Sequence, residues 1–479
     1  MARPSAKAEA GPWVLYGPNA VTQTGHILRL SHSSATGIAS RHMTTVTPTG
    51  ARHEVGAGEL FFSTTDGRGV IDQANSVFVR LSRYSQQELI GAPHNLIRHP
   101  DMPGAAFLVM WDTLAKGQPF CAYVDNLAAD GSTYTVFATI TPMRDGYLSV
   151  RSRPSYEPLN SAAHAIYRAT RPIELQARSD GASAHDAAVA GVGEVVRLLG
   201  EAGFSSYEDL TLASLPLEVE LLPEPPERPE SHLEGPLAEK LSVSNRLGAE
   251  LASWAERMTG LAAVASQLTE GVAQIEATIT ENRNTASRIQ EAEQKTQFST
   301  SVIYLRVWAD ISSILEPLLQ GLVERMAKLR RSCAQTQFQI ALALLHNRAV
   351  NQFIWEGFDL GGELEEHRIA LASLTEVLGS DIEGAAAHAD ENGASAAVAA
   401  ATIAQLAELL TMPQMMINTW LGKSAAELTD QSLVEAMRVQ SERTTADTLL
   451  MTKLAEQCRS IAVPLDAELA SQYASQLGN

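Results

Sequence analysis

One periodic stripe constrains the fold of this chain more than any other feature of its sequence. Between Leu247 and Ile289, thirteen positions follow one another at alternate spacings of four and three residues, and all except Asn282 carry apolar side chains. A straight helix would rotate such a stripe by about 20° per heptad, so a seam kept over this length requires helices that supercoil around each other. The spacing predicts a coiled coil over residues 237–300.

Two assemblies would bury this seam. The one we favour is a homodimer through the coiled coil, in which Asn282 lowers stability but fixes the register, because it is satisfied only opposite a matching partner. The other is an intrachain bundle, in which the helix folds back on a second long helix predicted over residues 301–358 and bent at Pro317. Residues 301–479 are predicted to form a helical transmitter or bundle region, with further helices over residues 363–378, 394–410 and 424–462.

The region before these helices consists of short β-rich runs separated by turn signals. LFFSTTD and VIDQAN come first, and FCAYVDNLA, STYTVFATITPM and GYLSVRSRP come later, separated by Asp130-Gly131 and Asp145-Gly146. Asp-Gly between β-rich runs is a strong hairpin signal. Between the two groups lie short helices, one of which has Ser85 and Glu88 at the positions of a capping box. This order predicts an α+β domain, an antiparallel sheet with helices on one face, followed by the mainly α region.

Composition narrows the class of function. The net charge of −19 argues against a nucleic-acid partner, which needs a basic face to displace counterions. The three cysteines lie far apart, without the spacing of a disulfide framework or a zinc site, which fits a reducing cytoplasm. No run approaches the ~18–20 uninterrupted apolar residues of a membrane helix, and no phosphate-binding loop or other catalytic motif occurs. We expect a cytoplasmic protein that has no membrane span and is not an enzyme.

Changes in residue composition and pattern along the chain suggest where its domains begin and end. Residues 1–58 are predicted to be a disordered N-terminal extension, since their first part is poor in acids and lacks a sustained period, and Met43 is a candidate start. Residues 59–170 hold the α+β domain. Residues 171–236 are interpreted as a helical connector that ends in a Pro- and Glu-rich linker. Six prolines between positions 215 and 236 predict that this linker is stiff and extended.

The α+β region resembles the PAS domain of bacterial aerotaxis receptors. The matching pieces are FFSTTDGRGVIDQAN, YSQQELIGAPHNLIRHPDMP, AAFLVMWDTLAKGQPF, DGSTYTVFATITPM and GYLSVRSRPS, in this order. The motif RHPDMP preceded by LIGAPHN is specific to this family, because general PAS domains do not share it. The resemblance implies a sensor of redox or oxygen state that signals through its helical region to an unidentified downstream protein. The signalling tip of chemotaxis receptors is not recognisable after residue 240.

The resemblance also implies a cofactor, since the family's PAS domain holds FAD non-covalently. A flavin needs a half-apolar slot with few polar groups. Phe107 and Trp111, four residues apart on a helix, can present one aromatic face, and Asn126 can offer both donor and acceptor to the pyrimidine-like ring. Arg98 and His99 can neutralise phosphate or a reduced, anionic flavin. The family's flavin-linked positions map onto Asn75, Arg98, His99, Asp101, Phe107, Trp111 and Asn126.

These side chains also have purely structural interpretations. Phe107 and Trp111 could belong to the core, whereas Asp101 could cap the following helix or pair with Arg98 to fix the loop. A cofactor-free PAS module that serves protein interaction or scaffolding is therefore the alternative function.

The chain also departs from the family pattern beside the implied site. Asp125-Asn126-Leu127 stands where the family usually has Lys-Asn-Arg, and Phe120 stands where it usually has Trp. An acid in place of a base at Asp125 predicts weaker binding of an anionic cofactor.

Overall fold

The computed structural model describes residues 46–224, 234–293, 301–359, 365–423, 431–460 and 465–478. The chain divides into two compact units. The first unit, which contains a β-sheet, is drawn from Met1–Gly248, Ala341–Gly379 and Tyr473–Asn479. The second unit, drawn from Ala249–Ile340 and Ser380–Gln472, is helical wherever the structure describes its secondary structure, apart from the short stretch that precedes the last helix.

The first unit is built on one five-stranded sheet in which every strand pairs antiparallel with its neighbours. The hairpin predicted at Asp145-Gly146 joins the last two strands, and a Cβ at Gly146 would overlap the carbonyl oxygen of Thr65 on a neighbouring strand. A glycine at the turn therefore allows the two backbones to approach. The strands run in the order β2-β1-β5-β4-β3 and are β1 (Leu60–Asp66), β2 (Ile71–Ala74), β3 (Phe120–Leu127), β4 (Thr133–Met143) and β5 (Gly146–Ser152).

Short helices connect β2 to β3 and cover one face of the sheet. Ser85 and Glu88 form the predicted capping box at the start of one of them. Phe61, Tyr134 and Val136 point from the sheet into an apolar core shared with these helices. We call this the inner face. The covering elements are α1 (Ser76–Ser82), α2 (Gln86–Leu89), a 3₁₀ turn (His94–Ile97) and α3 (Gly104–Leu114).

The outer face of the sheet is covered as well, by helices that follow the α+β region in sequence. Three helices come directly after β5: α4 (Glu157–Ser179), α5 (Ala184–Glu201) and α6 (Tyr207–Leu221). The Tyr123 hydroxyl on β3 donates to Glu218 of α6 at 2.9 Å, and Phe62 meets Phe353 edge-on at 4.9 Å between ring centroids. Because the outward positions are as apolar as the inward ones, both faces must be buried, and the predicted single helical layer is supplemented by a second.

The folded domain begins before the position that the sequence predicted. Thr49 donates its backbone N–H to the Gly131 carbonyl at 2.8 Å, and His53 donates to the Thr133 carbonyl at 3.0 Å. Val55 is buried in the inner core. Residues 46–58, which we call the N-terminal strap, are thus ordered rather than part of a disordered extension, because they pair with the start of β4. Residues 1–45 of that predicted extension, Met43 included, lie outside the described residues.

The connector is more helical than its prolines suggested. The sequence predicted an extended linker from position 215, but α6 continues through Pro216 to Leu221. Proline removes one helical hydrogen bond, and the burial of Leu215 and Val219 against the sheet offsets that loss. Most of the remaining proline-rich stretch, residues 225–233, lies outside the described residues.

Parts of four long helices form the second unit, whose described residues include an apolar core. The long helices are α7 (Pro236–Glu293), α8 (Ser301–Asp359), α9 (Glu365–Lys423) and α10 (Gln431–Ser460), followed by the short α11 (Ala467–Gly478). The sequence predicted two helices where α9 is continuous. Gln337 of α8 donates to the Met258 carbonyl of α7 at 3.3 Å. The core combines residues of four helices, among them Leu268, Ile275, Leu322, Met326, Ile403, Leu406, Met451 and Leu454.

The described part of the heptad stripe faces inward, and Ala265, Leu268, Val272 and Ile275 lie in this core. Leu251, Trp254, Leu268 and Ile275 are each completely buried within the chain. The described part of the seam is therefore buried within the chain, as in the fold-back bundle that the sequence left open, and the homodimer through residues 237–300 stays a prediction. The side chain of Asn282, which was expected to set the register, lies outside the described residues.

One helix among the described residues, over His367–Thr419, is long and apolar enough by composition to cross a membrane. Part of its apolar surface, including Ile403 and Leu406, lies in the core of the second unit. Core helices of soluble proteins pass the same test, so this helix is weak evidence for a membrane span.

Candidate functional site

Asn75 acts as a structural cap in this fold. Its Oδ1 accepts the backbone N–H groups of Phe78 in α1 and Phe62 in β1, each at 3.2 Å. Its Nδ2 lies 3.4 Å from the Leu60 carbonyl. The side chain thus ties the start of α1 to β1, and its polar atoms bond the backbone rather than facing outward to a ligand.

The RHPDMP loop brings three of the predicted site residues together. The backbone of Arg98 pairs with that of Asn126, and its guanidinium lies 4.1 Å from the centroid of the Phe107 ring. Arg98 also donates to the Met102 carbonyl at 3.0 Å. Burial lowers the pKa of Arg98 to about 10, helped by Arg171 and opposed by Glu174, so that Arg98 remains a cation at neutral pH.

In the next part of the loop His99 is buried and Asp101 is exposed, although the two side chains lie 3.8 Å apart. His99 is buried, and its Nδ1 accepts the backbone N–H of Asp101 at 3.2 Å. The Asp101 side chain is 87% exposed and points to solvent. The N-cap position of α3 belongs to Pro103, so Asp101 is neither the cap of that helix nor the partner of Arg98. The loop presents Arg98 inward and Asp101 outward.

Trp111 belongs to an apolar cluster at the other end of α3. Its ring meets Tyr147 of β5 edge-on, with 5.4 Å between centroids. The same cluster includes Leu114 and Phe120. Phe120, at the position where the family usually has Trp, stacks on Tyr207 of α6 at 5.0 Å. Trp111 therefore contributes an aromatic wall, as both the core and the ligand interpretations expected.

Asn126 and Tyr134 place unsatisfied polar atoms inside the domain. They are direct partners across β3 and β4, and both are buried. Within the part of the chain that the structure describes, neither Asn126 Nδ2 nor the Tyr134 hydroxyl has a hydrogen-bond partner. Buried polar groups in proteins are nearly always bonded. These two atoms point to a missing partner that offers hydrogen-bonding groups of its own.

Sequence reasoning missed Arg151, which lies on the inner face of β5 with only 4% of its surface exposed. It donates to Ser63 Oγ at 3.2 Å and contacts His94 Nε2, and its guanidinium lies 5.4 Å from the centroid of the Phe78 ring. Among the described residues, the Tyr134 hydroxyl favours the Arg151 cation electrostatically, and no carboxylate contributes.

The positive charge of Arg151 is not balanced by its neighbour His94. Burial lowers the pKa of Arg151 to about 10, still far above neutrality. Burial and then the charge of Arg151 push the pKa of His94 well below its ordinary value, so that His94 is neutral. A buried cation without an anion is costly. The alternation in GYLSVRSRP, where Leu148 and Val150 face outward, was the signal that could have located Arg151 on the inner face.

Asp125 does not act on the site as the sequence predicted. Strand alternation turns it to the outer face, where it lies 3.4 Å from His164 of α4 and 3.2 Å from Arg52 of the N-terminal strap. Burial would raise the pKa of Asp125, but hydrogen bonds from His164 and Thr135 and the charge of Arg52 hold it below its ordinary value. Its negative charge is neutralised away from Asn126, so the expected penalty on an anionic cofactor does not follow.

Residues 71–150 match the family model described as the PAS fold. The five-stranded sheet, its short covering helices and the polar groups on its inner face thus make this part of the chain a PAS domain. Its similarity to the aerotaxis receptor of Escherichia coli (strain K12), 46% identity over 112 residues, covers 22% of each chain. This part of the chain is a PAS domain of the aerotaxis-receptor family, as the RHPDMP motif predicted.

Two further comparisons are more distant. The nitrogen fixation regulatory protein of Klebsiella pneumoniae is 36% identical over 81 residues, which is 17% of this chain and 16% of that protein. Among solved structures, the light-state structure of the blue-light photoreceptor Aureochrome1 LOV covers 22% of this chain and 88% of its own, with 21% identity and a TM-score of 0.20. The curated relatives are therefore matched over less than a quarter of their length, within the PAS region.

Proposed function

We propose that the PAS domain binds a flavin non-covalently, FAD as its family resemblance implies, and that the chain is a cytoplasmic sensor of redox or oxygen state. The observation that carries the proposal is the inner face of the sheet. There Arg151 is a buried cation without a carboxylate, and Asn126 and Tyr134 hold unsatisfied polar atoms. A ring that offers carbonyl and ring-nitrogen acceptors and gains negative charge on reduction, as a flavin does, would satisfy all three.

In this proposal each residue has a distinct role. A bound flavin would supply the redox chemistry. The Asn126 amide and the Tyr134 hydroxyl would donate hydrogen bonds that orient the ring, and Trp111 and Phe107 would exclude water from it. Arg151 would favour the more negative, reduced state, because a fixed positive charge near the ring stabilises added electrons. Arg98 would offer a second positive charge at the α3 side.

The helices that cover the sheet are the proposed output. The name of the Escherichia coli relative, an aerotaxis receptor, supports a sensing role. Gln352 of α8 bonds both the N–H and the carbonyl of Leu60 at 2.9 Å. A change in the sheet would therefore reach α8 and, through the helical region, a downstream signalling protein.

The test is the visible absorption of the purified full-length protein after incubation with FAD and gel filtration. Flavin bands that bleach on anaerobic reduction are expected. Arg151→Met should weaken FAD binding about tenfold or more, equivalent to about 1.4 kcal/mol. Arg153→Met is the matched control, since Arg153 lies two residues away, half exposed, and pairs with Glu54. Absence of flavin bands in the loaded wild type would contradict the proposal.

The second candidate is a cofactor-free interaction module, and one observation favours it. Arg98 is already occupied by the Met102 carbonyl and the Phe107 ring, and Asn75 by backbone groups. In such a module Arg151 would be only a buried charge, and Arg151→Met would raise the thermal stability. A protein that binds no flavin and is stabilised by this substitution would support the second candidate.

A further inference from the structure

The helix that carries Phe107 and Trp111 is capped from outside the PAS sheet and its short helices. Glu174 of α4, which is 2% exposed, accepts the backbone N–H of Gly104 at 2.8 Å and that of Ala105 at 2.7 Å. Helix N-termini leave such groups unsatisfied, and α3 has no side-chain cap of its own. Glu174 therefore satisfies the start of α3 and places a carboxylate where the helix dipole favours one.

Helix α5 packs against the start of α3 so closely that no side chain fits at the contact. A Cβ added at Gly191 of α5 would lie 2.6 Å from Glu174 Oε1 and 3.0 Å from the Cβ of Ala105. A Cβ added at Gly104 would lie 3.1 Å from the Cβ of Ala188. The start of α3, the Glu174 side chain and the middle of α5 thus form one tight junction, which we call the α3 junction. A shift of α3 along its axis cannot leave α5 in place.

The α3 junction is linked to the candidate site through Arg98. Its guanidinium stacks on Phe107, one turn into α3, and its charge interacts with those of Glu174 and Arg171. Arg171 in turn lies 3.1 Å from Glu174 Oε2. The position of α3 therefore depends on one carboxylate that faces both the helix terminus and the charged loop of the candidate site.

We propose that Glu174 is a positioning residue that couples the candidate site to α4 and α5, so that a movement of α3 in response to a ligand at that site is passed to α5 through the α3 junction. The ligand side of this coupling rests on the proposed flavin function. The coupling of α3 to α5 through Glu174 depends on the helices alone, and it can be tested without a ligand.

The ligand-independent test is hydrogen exchange of the full-length wild type and of three variants. Gly191→Ala inserts a methyl group into the junction. Gly193→Ala is the control on the same helix, because a Cβ there meets nothing within 4 Å. Gly191→Ala and Glu174→Ala should each speed amide exchange about tenfold in α3 and α5 together, whereas Gly193→Ala should leave both unchanged. Faster exchange in one helix alone would overturn the coupling.

The second test uses the flavin-loaded protein. Glu174→Gln keeps the shape of the side chain and removes its charge, so it should change the FAD dissociation rate several-fold. Glu218→Gln is the control, because Glu218 is equally buried but accepts the N–H groups of Ser155 and Tyr156, on the outer side of the sheet. It should lower stability without changing FAD dissociation.

The outcomes separate the two hypotheses. A wild type that binds no FAD would contradict the proposed function, and the exchange experiment would still decide the coupling of α3 to α5. Bound FAD with identical dissociation from Glu174→Gln and Glu218→Gln would overturn the role of Glu174 while leaving the flavin function intact.

Discussion

Two neighbouring residues of β3 lie on opposite faces of the sheet and have different interaction partners. Asn126 points inward, where its amide lacks a partner among the described residues, and Asp125 points outward to His164 and Arg52. The sequence comparison treated Asp125 and Asn126 as parts of one triplet, Asp125-Asn126-Leu127, and therefore assigned both residues to the same site. Alternation along the strand assigns only Asn126 to the inner face, and makes Asp125 a link between the sheet, α4 and the N-terminal strap.

The ion pair of Asp125 and His164 predicts a pH-dependent contribution to stability. Burial would lower the pKa of His164, but Asp125 and the Asn160 carbonyl raise it above 6.5, with Arg52 opposing. The stability that His164 contributes is therefore complete below pH 6.5 and is lost as the pH rises through its raised pKa. Asp125 contributes above pH 3.8, since its own pKa is lowered. The pair thus acts mainly between these two values.

The measurement is urea unfolding of the wild type and His164→Gln from mildly acidic to alkaline buffer. The substitution should cost on the order of 1 kcal/mol in mildly acidic buffer, because the pair is partly buried. The difference should shrink toward zero in alkaline buffer. A difference that stays constant with pH would show that His164 acts through packing rather than charge.

At the scale of elements, short segments gain structure from partners far along the chain. The N-terminal strap has no strong pattern of its own, yet Val55 is buried in the core and His53 contacts Ser132 and the Leu81 carbonyl, each at 2.9 Å. α6 likewise remains helical past Pro216 because its apolar side is buried. Long-range burial therefore overrides weak or unfavourable local propensity in both elements.

The strap predicts a specific result for truncation. A chain that lacks residues 1–58 should unfold at a lower urea concentration than a chain that lacks residues 1–45, with a loss of roughly 2–4 kcal/mol from the exposed core and the broken backbone bonds. The two truncations differ only in the strap, so each serves as the control of the other. Equal stability of the two truncated chains would mean that the strap contributes nothing to the domain.

At the scale of the whole molecule, the long helices bury their own seams. Leu268 and its neighbours on α7 lie in a core with residues of α8, α9 and α10. Leu268→Ala should therefore lower stability by about 2–5 kcal/mol without changing the number of chains per particle. Leu449→Ala, at a residue that is 74% exposed, is the control and should have little effect.

Sedimentation combined with thermal unfolding checks this prediction. A Leu268→Ala protein that dissociates from dimer to monomer would instead support the homodimer predicted through residues 237–300. An unchanged particle with a lower unfolding temperature would support the bundle.

Local patterns in the sequence were sufficient for much of the architecture. The order of β-rich runs, the Asp145-Gly146 turn, the capping box at Ser85 and the long helices all depend on residues close together in the chain. Periodicity and turn chemistry express such local preferences directly. The RHPDMP motif also located the PAS domain, although positions transferred by resemblance did not reveal which side chains meet.

Only the tertiary structure decided which groups share a site. Arg151 approaches His94, and Glu174 reaches Gly104, across long stretches of intervening chain. Whether the seam of α7 is covered by its own chain or by a second one also depends on contacts between distant helices. Such contacts follow from strand register and helix packing, which a short segment of sequence does not specify. For this reason the sequence by itself determined the elements and their family, and the packing of those elements decided the site.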